Sequence, residues 1–451
     1  MSKKHVVIVG AGFAGLVAAR ELQTAGVSYE IVEARDRIGG RAWTEDRMGR
    51  PLELGATWVH WHQPHIWTEI TRYGQKIVSS PINNDAYWIT DGEVRSGTEN
   101  ELDAKLEAPM ARIFAGSEEF FPNPHDPLAI LDDASPELRE RFLAADQNSP
   151  LEELDGGNFT QEEIDLANGY WAAAYIGNPH TGSSLMAKQW AALCDHRLSL
   201  VDDMTLRYKL VDGMRGIYEK IAADLTGPIR LNTPVTAIEH HDNGATITLD
   251  SGEIIDCDAV IVTVPVGALD NIQFTPALDE GINKVIEQKW NSTGCKIWIK
   301  IKGHHKIIGY APYPNKISVF RSEYFMDDDT TICVGFGSDH EQVDLESIED
   351  VQAIINQWRP DLEVVDCTGH DWVADKWAGQ AWATLRQGQF ADGWHHFGQV
   401  DSRLYFAGAD WAKGWRGVVV DGAIEQGLST AREVMEELGV EKQSYLLSRA
   451  L

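Results

Sequence analysis

The chain has 451 residues, 43% apolar and 24% charged, the balance of a globular protein of two or three domains rather than a disordered, collagenous or membrane-spanning one. Its 39 Lys and Arg face 69 Asp and Glu, a formal net charge of −30, which repels phosphate backbones and anionic lipid and argues against nucleic acid or a membrane as partner. Five cysteines without a C-x-x-C pair speak against a disulfide framework or a structural metal site, and a reducing compartment is expected.

In chain order, His5–Val9 is a short apolar run of the kind that forms a buried parallel strand. A signal peptide is not expected there, because the run enters a glycine loop and then charged helix positions; a cytoplasmic location follows as the expectation. Gly10, Gly12 and Gly15 make G-x-G-x-x-G between that strand and a helix predicted over Phe13–Ala25, with Leu16, Ala19 and Leu22 at helical spacing. The first glycine permits the turn, the second lets a pyrophosphate approach the backbone, and the third lets helix pack on strand. Glu33 ends the next strand, Tyr29–Glu33, near the ~20-residue offset of an acid that binds ribose hydroxyls. Together these predict dinucleotide binding. A second glycine pair with an arginine, Gly39-Gly40-Arg41, adds backbone N–H groups and a fixed charge for the same pyrophosphate.

His60 and His62 alternate on a possible strand and would face one side. A metal reading lacks a third ligand, which leaves a place at a substrate mouth or a structural hydrogen bond. Residues 97–200 are polar and helical in character. Pro228–Glu239, Ala245–Leu249 and Glu253–Val264 read as strands with turns at Asp242-Asn243-Gly244 and Asp250-Ser251-Gly252. Further strand-like runs are Lys296–Ile301, Ile317–Phe320, Thr331–Phe336 and Val364–Trp372, with a helical stretch at Ile348–Trp358. Lys296 begins an otherwise apolar strand, which is costly unless its ammonium finds water or a partner. Six of the 16 tryptophans fall between Trp372 and Trp415, a concentration that suits a pocket as well as a core. Near the end, Leu404–Gly408 repeats the strand–glycine–acid logic with Asp410, a carboxylate suited to a ribityl chain, before a helix from about Gly422 to Leu438.

These motifs, together with Leu54-Gly55-Ala56-Thr57-Trp58, Thr233-Pro234-Val235 and Gly422-Ala423, resemble the flavin-containing monoamine oxidases over nearly the whole chain. Gly294–Ile299 and Asp371–Asp375 make it most similar to bacterial members of the cyclohexylamine oxidase and 6-hydroxynicotine oxidase type. The resemblance implies an α/β fold: a Rossmann-like FAD-binding domain of the glutathione-reductase and monoamine-oxidase type, interleaved with an α+β substrate domain. The expected division is 1–80, 205–265 and 390–451 for FAD, and 81–204 and 266–389 for substrate. It also implies FAD contacts at Gly10, Gly12, Phe13, Ala14, Gly15, Glu33, Ala34, Arg35, Gly40, Arg41, Gly55, Ala56, Thr57, Trp58, Val235, Gly408, Asp410, Val418, Val419 and Ala423.

By the same resemblance Lys296 matches a lysine that holds a water near flavin N5, and Trp382 matches one wall of an aromatic cage around the amine. Ala381 stands where covalently flavinylated members have cysteine, which implies non-covalent FAD. Val418-Val419-Val420 occupies the place of a second-wall tyrosine, so either Trp415 substitutes for the ring or the cage has one aromatic side. The pocket is expected to add His60, Tyr175, Leu206, Phe320 and Phe336. The implied reaction moves hydride from the amine α-carbon to the flavin, hydrolyses the imine and reduces dioxygen to hydrogen peroxide, without a separate general base if the amine enters neutral. An apolar cyclic or aryl-alkyl amine is the expected substrate, and a homodimer is compatible with the chain. The alternatives are a polyamine oxidase, which wants a deep carboxylate, and an amino-acid oxidase, which needs an arginine such as Arg72, Arg321 or Arg386 in the pocket. An NAD-linked dehydrogenase and a flavin-bound protein without oxidase turnover are the rivals from other classes.

Overall fold

The computed structural model describes residues 4–393 and 403–440; 394–402, with Trp394, and 441–451 of the expected C-terminal FAD segment lie outside them. At one end is a five-stranded parallel sheet in the order Leu404–Phe406, Ala259–Val262, His5–Val9, Ser28–Val32, Ile229–Arg230. Val6, Val7 and Ile8 are fully buried because helices cover one face of this sheet and a second, four-stranded sheet covers the other, which is why the run is continuously apolar rather than alternating. Helix Phe13–Thr24 follows the first strand, and the C-terminal helix Val420–Glu437 lies against it. Gly427 makes that approach possible: a Cβ there would sit 2.5 Å from the carbonyl oxygen of Ala14.

Beside it stands a four-stranded sheet, Ile254–Cys257, Gly244–Leu249, Val235–His241 and Gln273–Thr275. Its first three strands are antiparallel hairpins, joined by the two predicted turns. Gln273–Thr275 adds in parallel to Val235–His241, so this sheet runs past the boundary expected at residue 265.

The third sheet has seven strands in the order Val364–Gly369, Cys295–Lys302, Thr330–Gly337, Val319–Met326, Ile307–Tyr310, Asp85–Thr90, Glu93–Thr98. Cys295–Lys302 is interior, so its residues from Cys295 to Ile299 are buried on both faces, and its register sets Lys296 opposite Phe336. Helices fill the region 99–193, among them Glu99–Phe114 and Gln161–Tyr175. Both start at reciprocal capping boxes, Thr98 with Glu101 and Thr160 with Glu163, which satisfy two of the backbone N–H groups a helix start leaves unpaired.

Three of the differences from expectation have local reasons. The strand from Val364 stops at Gly369, because Asp371 Oδ1 accepts from the amides of Val373 and Ala374, both at 3.0 Å, and turns the chain. The helix from Ile348 ends at Ile355 rather than Trp358, whose ring packs on Phe320 instead. His60 and His62 lie in a turn, not a strand: Gln63 Oε1 accepts from the His60 amide and Pro64 opens a helix. Among the described residues no helix is long and apolar enough to cross a membrane, and the five cysteines are unbridged.

Candidate active site

A cavity with about 2190 Å³ of space, counting its mouth, runs from the glycine loop of the parallel sheet to the seven-stranded sheet. At the first end the chain makes two facing glycine turns. Gly10 holds φ +110°, and a Cβ on it would strike Thr263 Oγ1 at 2.3 Å. Gly12 has only the Cα of Gly40, 3.8 Å away, near its missing side chain, so the space above it is free for a ligand. Helix Phe13–Thr24 has neither a side-chain cap nor an acidic residue in its first turn. Its exposed N–H groups and partial positive charge therefore face the cavity, an anion site in the making. The helix Val420–Glu437 also starts without a side-chain cap, and Val418, Val419, Val420 and Ala423 line the same space.

Glu33 closes this end. Its carboxylate accepts from the amides of Ala11, 2.7 Å, and Arg35, 2.9 Å, and burial pushes its pKa up against those donors. Each oxygen keeps a lone pair for a further donor. Arg35 and Arg41 are the arginines of the lining, and both are engaged: Arg35 in a bidentate pair with Asp375 at 2.8 and 2.9 Å, Arg41 with Asp410 at 2.6 Å. Arg41 also donates to the Ala381 carbonyl at 2.9 Å.

At the other end the lining is aromatic. Trp382 meets Phe336 edge-on with centroids 6.0 Å apart, and Phe336 meets Trp58, again at 6.0 Å. The Trp382 indole is locked by its N–H donating to the Ala174 carbonyl at 3.1 Å. Lys296 lies beneath this group, buried, its Nζ 5.3 Å from the Trp58 ring and 5.0 Å from the Trp298 ring. It donates to the carbonyls of Glu53, 2.8 Å, and Gly55, 2.7 Å, and to the Thr57 hydroxyl. An ammonium has three N–H groups, and all three are spent on the segment that lines the cavity. Burial pulls its pKa down to about 7, while the Glu53 carboxylate nearby is itself pushed up by burial.

Of the expected cofactor contacts, all but Gly15 and Asp410 line the cavity. Gly15 acts from behind: its Cα approaches the Gly10 carbonyl so closely that a Cβ would lie 2.0 Å from that oxygen. Asp410, expected beside a ribityl chain, is committed to the protein. Besides Arg41 it accepts from the Val266 amide, 3.1 Å, Trp290 Nε1, 3.1 Å, and Gln380 Nε2, 2.9 Å. Burial works against that charge, and Arg41 with these donors more than offsets it, holding the carboxyl below its ordinary range.

Of the expected pocket residues Leu206, Phe336 and Trp382 line the cavity, whereas His60, Tyr175 and Phe320 do not. His60 stacks on Trp61 at 3.9 Å, and burial lowers its pKa to about 4. Tyr175 is fully buried among Trp171 and Trp190, its hydroxyl donating to the Ser183 carbonyl at 2.7 Å. Phe320 faces the opposite side of its strand, toward Trp358. Trp415, expected as a substitute for the missing ring, is also fully buried outside the lining. The rings that stand beside Trp382 in the lining are Phe336 and, beyond it, Trp58. Arg72, Arg321 and Arg386 stay outside the cavity, paired with Glu69, Glu323 and backbone carbonyls respectively.

The lining also holds residues that sequence reasoning missed, notably Tyr170, Trp190, Val201, Thr205, Tyr310 and Val319. Tyr170 falls in the later part of its helix, residues 166–175, which is buried nearly all round, so no periodicity separates its cavity face from its core face.

The family model described as flavin containing amine oxidoreductase matches residues 13–435. A pseudooxynicotine dehydrogenase from Pseudomonas sp is 30% identical over 448 residues, 98% of this chain and 86% of the relative. The (S)-6-hydroxynicotine oxidase of Paenarthrobacter nicotinovorans is 27% identical over 433 residues, covering 93% and 96%. Among solved structures, putrescine oxidase bound to putrescine superposes with TM-score 0.80 at 23% identity over 96% of this chain and 99% of that one. Cyclohexylamine oxidase from Brevibacterium oxydans superposes with TM-score 0.77 at 19% identity over 97% and 100%. Both superpositions describe the fold.

Proposed function

The chain belongs to the flavin-containing amine oxidoreductases, and on that premise we propose that it binds FAD without a covalent link and oxidises an apolar cyclic or aryl-alkyl amine to an imine. The observation that carries this reading is the continuity of one cavity, from two uncapped helix starts and facing glycine turns to a cage of Trp382, Phe336 and Trp58. A bound flavin would supply the hydride acceptor for the amine α-carbon and the redox chemistry toward dioxygen.

The protein's own residues do the rest. Gly12, Gly40 and the first turns of the two helices would hold the pyrophosphate, and Glu33 the adenosine ribose. Trp382 and Phe336 orient the amine in a water-poor site. Tyrosines aside, the titratable side chains of the lining are Glu33, Arg35, Arg41 and Lys296, each already hydrogen-bonded within the protein. That supports an amine entering neutral, with no separate base. Ala381, which lines the cavity, supports a non-covalent link, since it offers no thiol. The same reading divides the chain into an FAD-binding domain (1–80, 205–265 and 390–451) and a substrate domain, with the strand Gln273–Thr275 arguing for a boundary beyond Thr275.

A second reading differs in the electron acceptor. The 30% identical relative is named a dehydrogenase, and Lys296 spends its three N–H groups on protein acceptors, which favours an acceptor other than dioxygen. A panel of amines assayed for peroxide release tests the oxidase. Flavin that an amine bleaches anaerobically, but that air restores only slowly, would select the dehydrogenase; colour unaffected by every amine would remove both.

A further inference from the structure

Behind the aromatic end of the cavity lies a buried cluster of charge that the proposed chemistry leaves unused. Glu323 belongs to the strand Val319–Met326 of the seven-stranded sheet, and its side chain is wholly shielded from water. Lys209 donates to its Oε2, and Arg321 Nε stands 3.2 Å from its Oε1. The strand places the carboxylate there through an irregularity. Its register with Thr330–Gly337 shifts between Ser322 and Tyr324, so Glu323 is the extra residue of a β-bulge. Bulges re-aim side chains. Neighbours in a regular strand face opposite ways, yet Glu323 and Tyr324 both meet Lys209, whose Nζ is 3.8 Å from the Tyr324 ring.

Taking a carboxylate and its cations out of water is costly, and such clusters seldom add net stability. This one holds a hydroxyl. Ser80 Oγ donates to Glu323 Oε2 at 2.9 Å and accepts the indole N–H of Trp58 at 3.3 Å. Both directions are forced: a carboxylate only accepts and an indole N–H only donates, so the single Ser80 proton goes to Glu323 and a lone pair is left for Trp58. The backbone holds the same parts together. Trp58 forms a β-bridge with Lys209, and Ser80 follows the strand Ile77–Ser79, which pairs with Tyr208–Leu210. Of Trp58, Ser80, Lys209 and Glu323, only Trp58 lines the cavity, beside Phe336 and Lys296.

We propose that Glu323, acting through Ser80, is a positioning residue that fixes the plane of the Trp58 ring and thereby the fit of an aryl-alkyl or cyclic amine in the cage. An indole anchored by its N–H keeps one orientation. Released, the ring turns about its side-chain bonds and the flat surface offered to the substrate is lost. The inference rests on the amine-oxidase reading and adds to it a specificity determinant outside the cavity lining.

The test is a double-mutant cycle on the flavin-loaded protein with phenethylamine. Ser80→Ala removes the acceptor of the indole N–H and should lower kcat/KM by about 2- to 12-fold, the worth of one hydrogen bond, most of it through KM. In a Trp58→Phe background, where the ring has no N–H to anchor, the same change should leave kcat/KM nearly unmoved. Glu323→Gln should behave likewise, lowering kcat/KM with Trp58 present and not with Phe in its place. If Glu323→Gln, which leaves Lys209 without its counter-charge, fails to fold, the Ser80→Ala cycle decides alone. Calorimetric affinity for 2-phenylethanol, which needs no turnover, should show the same coupling. No loss in Ser80→Ala, or an equal loss in both backgrounds, overturns the proposal and leaves the oxidase reading untouched. If no amine reduces the flavin while 2-phenylethanol still shows the coupling, the oxidase reading falls and the positioning role stands. Failure of the wild type to bind either compound overturns both.

Discussion

Arg41 and Asp410, 369 residues apart in the chain, form an ion pair of 2.6 Å that joins the second glycine turn to the C-terminal strand–glycine segment. Through Val266, Trp290 and Gln380 the same carboxylate gathers three further segments. Two residues that each read as cofactor ligands thus hold one another, and they shape the cofactor end by fixing where the loops stand.

Asp410→Asn tests that role. Removing one partner of a buried pair costs about 3–5 kcal/mol. The Arg41 side chain is 24% exposed, so water relieves part of this, and a loss toward the lower end is expected. Urea unfolding of the flavin-free protein should show it. Wild-type stability without flavin, combined with a drop in flavin affinity alone, would mean that Asp410 serves the ligand directly.

Glu33 holds two amides in the structure and the adenosine ribose in the proposed function, and substitutions separate the two duties. Glu33→Ala removes the acceptor for the Ala11 and Arg35 amides and should destabilise the flavin-free protein by about 1–3 kcal/mol. It should also weaken FAD binding by roughly 10- to 150-fold, the worth of one charge-assisted hydrogen bond. Glu33→Gln keeps an acceptor for one amide and should recover part of the stability but little of the affinity. Equal flavin content of all three proteins at limiting FAD contradicts the ribose role.

Lys296 carries a pH dependence whose sign follows from burial. Its ammonium is disfavoured in the fold, and its pKa falls from 10.5 to about 7, so the charge is present below pH 7 and is lost as pH rises through that value. If the charge assists electron transfer to dioxygen, reoxidation should be faster on the acid side and slow above about pH 7. Lys296→Met should flatten this profile and slow reoxidation by ~10²–10³, the usual worth of one preorganised charge, with anaerobic reduction by the amine changed much less. Rapid mixing measures the two half-reactions separately. Reduction that collapses while reoxidation is untouched would give Lys296 a role toward the amine instead.

Unfolding should release the flavin completely, since Ala381 lacks a thiol. Acid precipitation is expected to leave a colourless pellet and all the FAD in the supernatant. Yellow colour in the washed pellet contradicts the non-covalent assignment.

The nucleotide end was legible in the sequence because its determinants are local. A glycine at positive φ and an uncapped helix start lie within a few residues of each other, and the acid ends the very next strand, so the spacing of Gly10, Gly12, Gly15 and Glu33 already states the geometry. The same holds for the start of the strand Cys295–Lys302, where a lysine in an apolar run announces a buried cation that must find acceptors. The far end of the cavity is a different matter. Tyr170, Thr205 and Tyr310 come from three elements whose side chains meet only when helix, turn and strand pack together, and nothing in their local sequence distinguishes a ring facing a cavity from a ring facing a core. For that reason Tyr175, Phe320 and Trp415, equally aromatic and equally apolar in setting, were indistinguishable from Phe336 and Trp382 until the register of the seven-stranded sheet and the packing of the helices decided which rings face the cavity. Local backbone chemistry determined the glycine turns and helix start at one end of the cavity, and long-range packing decided what lies opposite them.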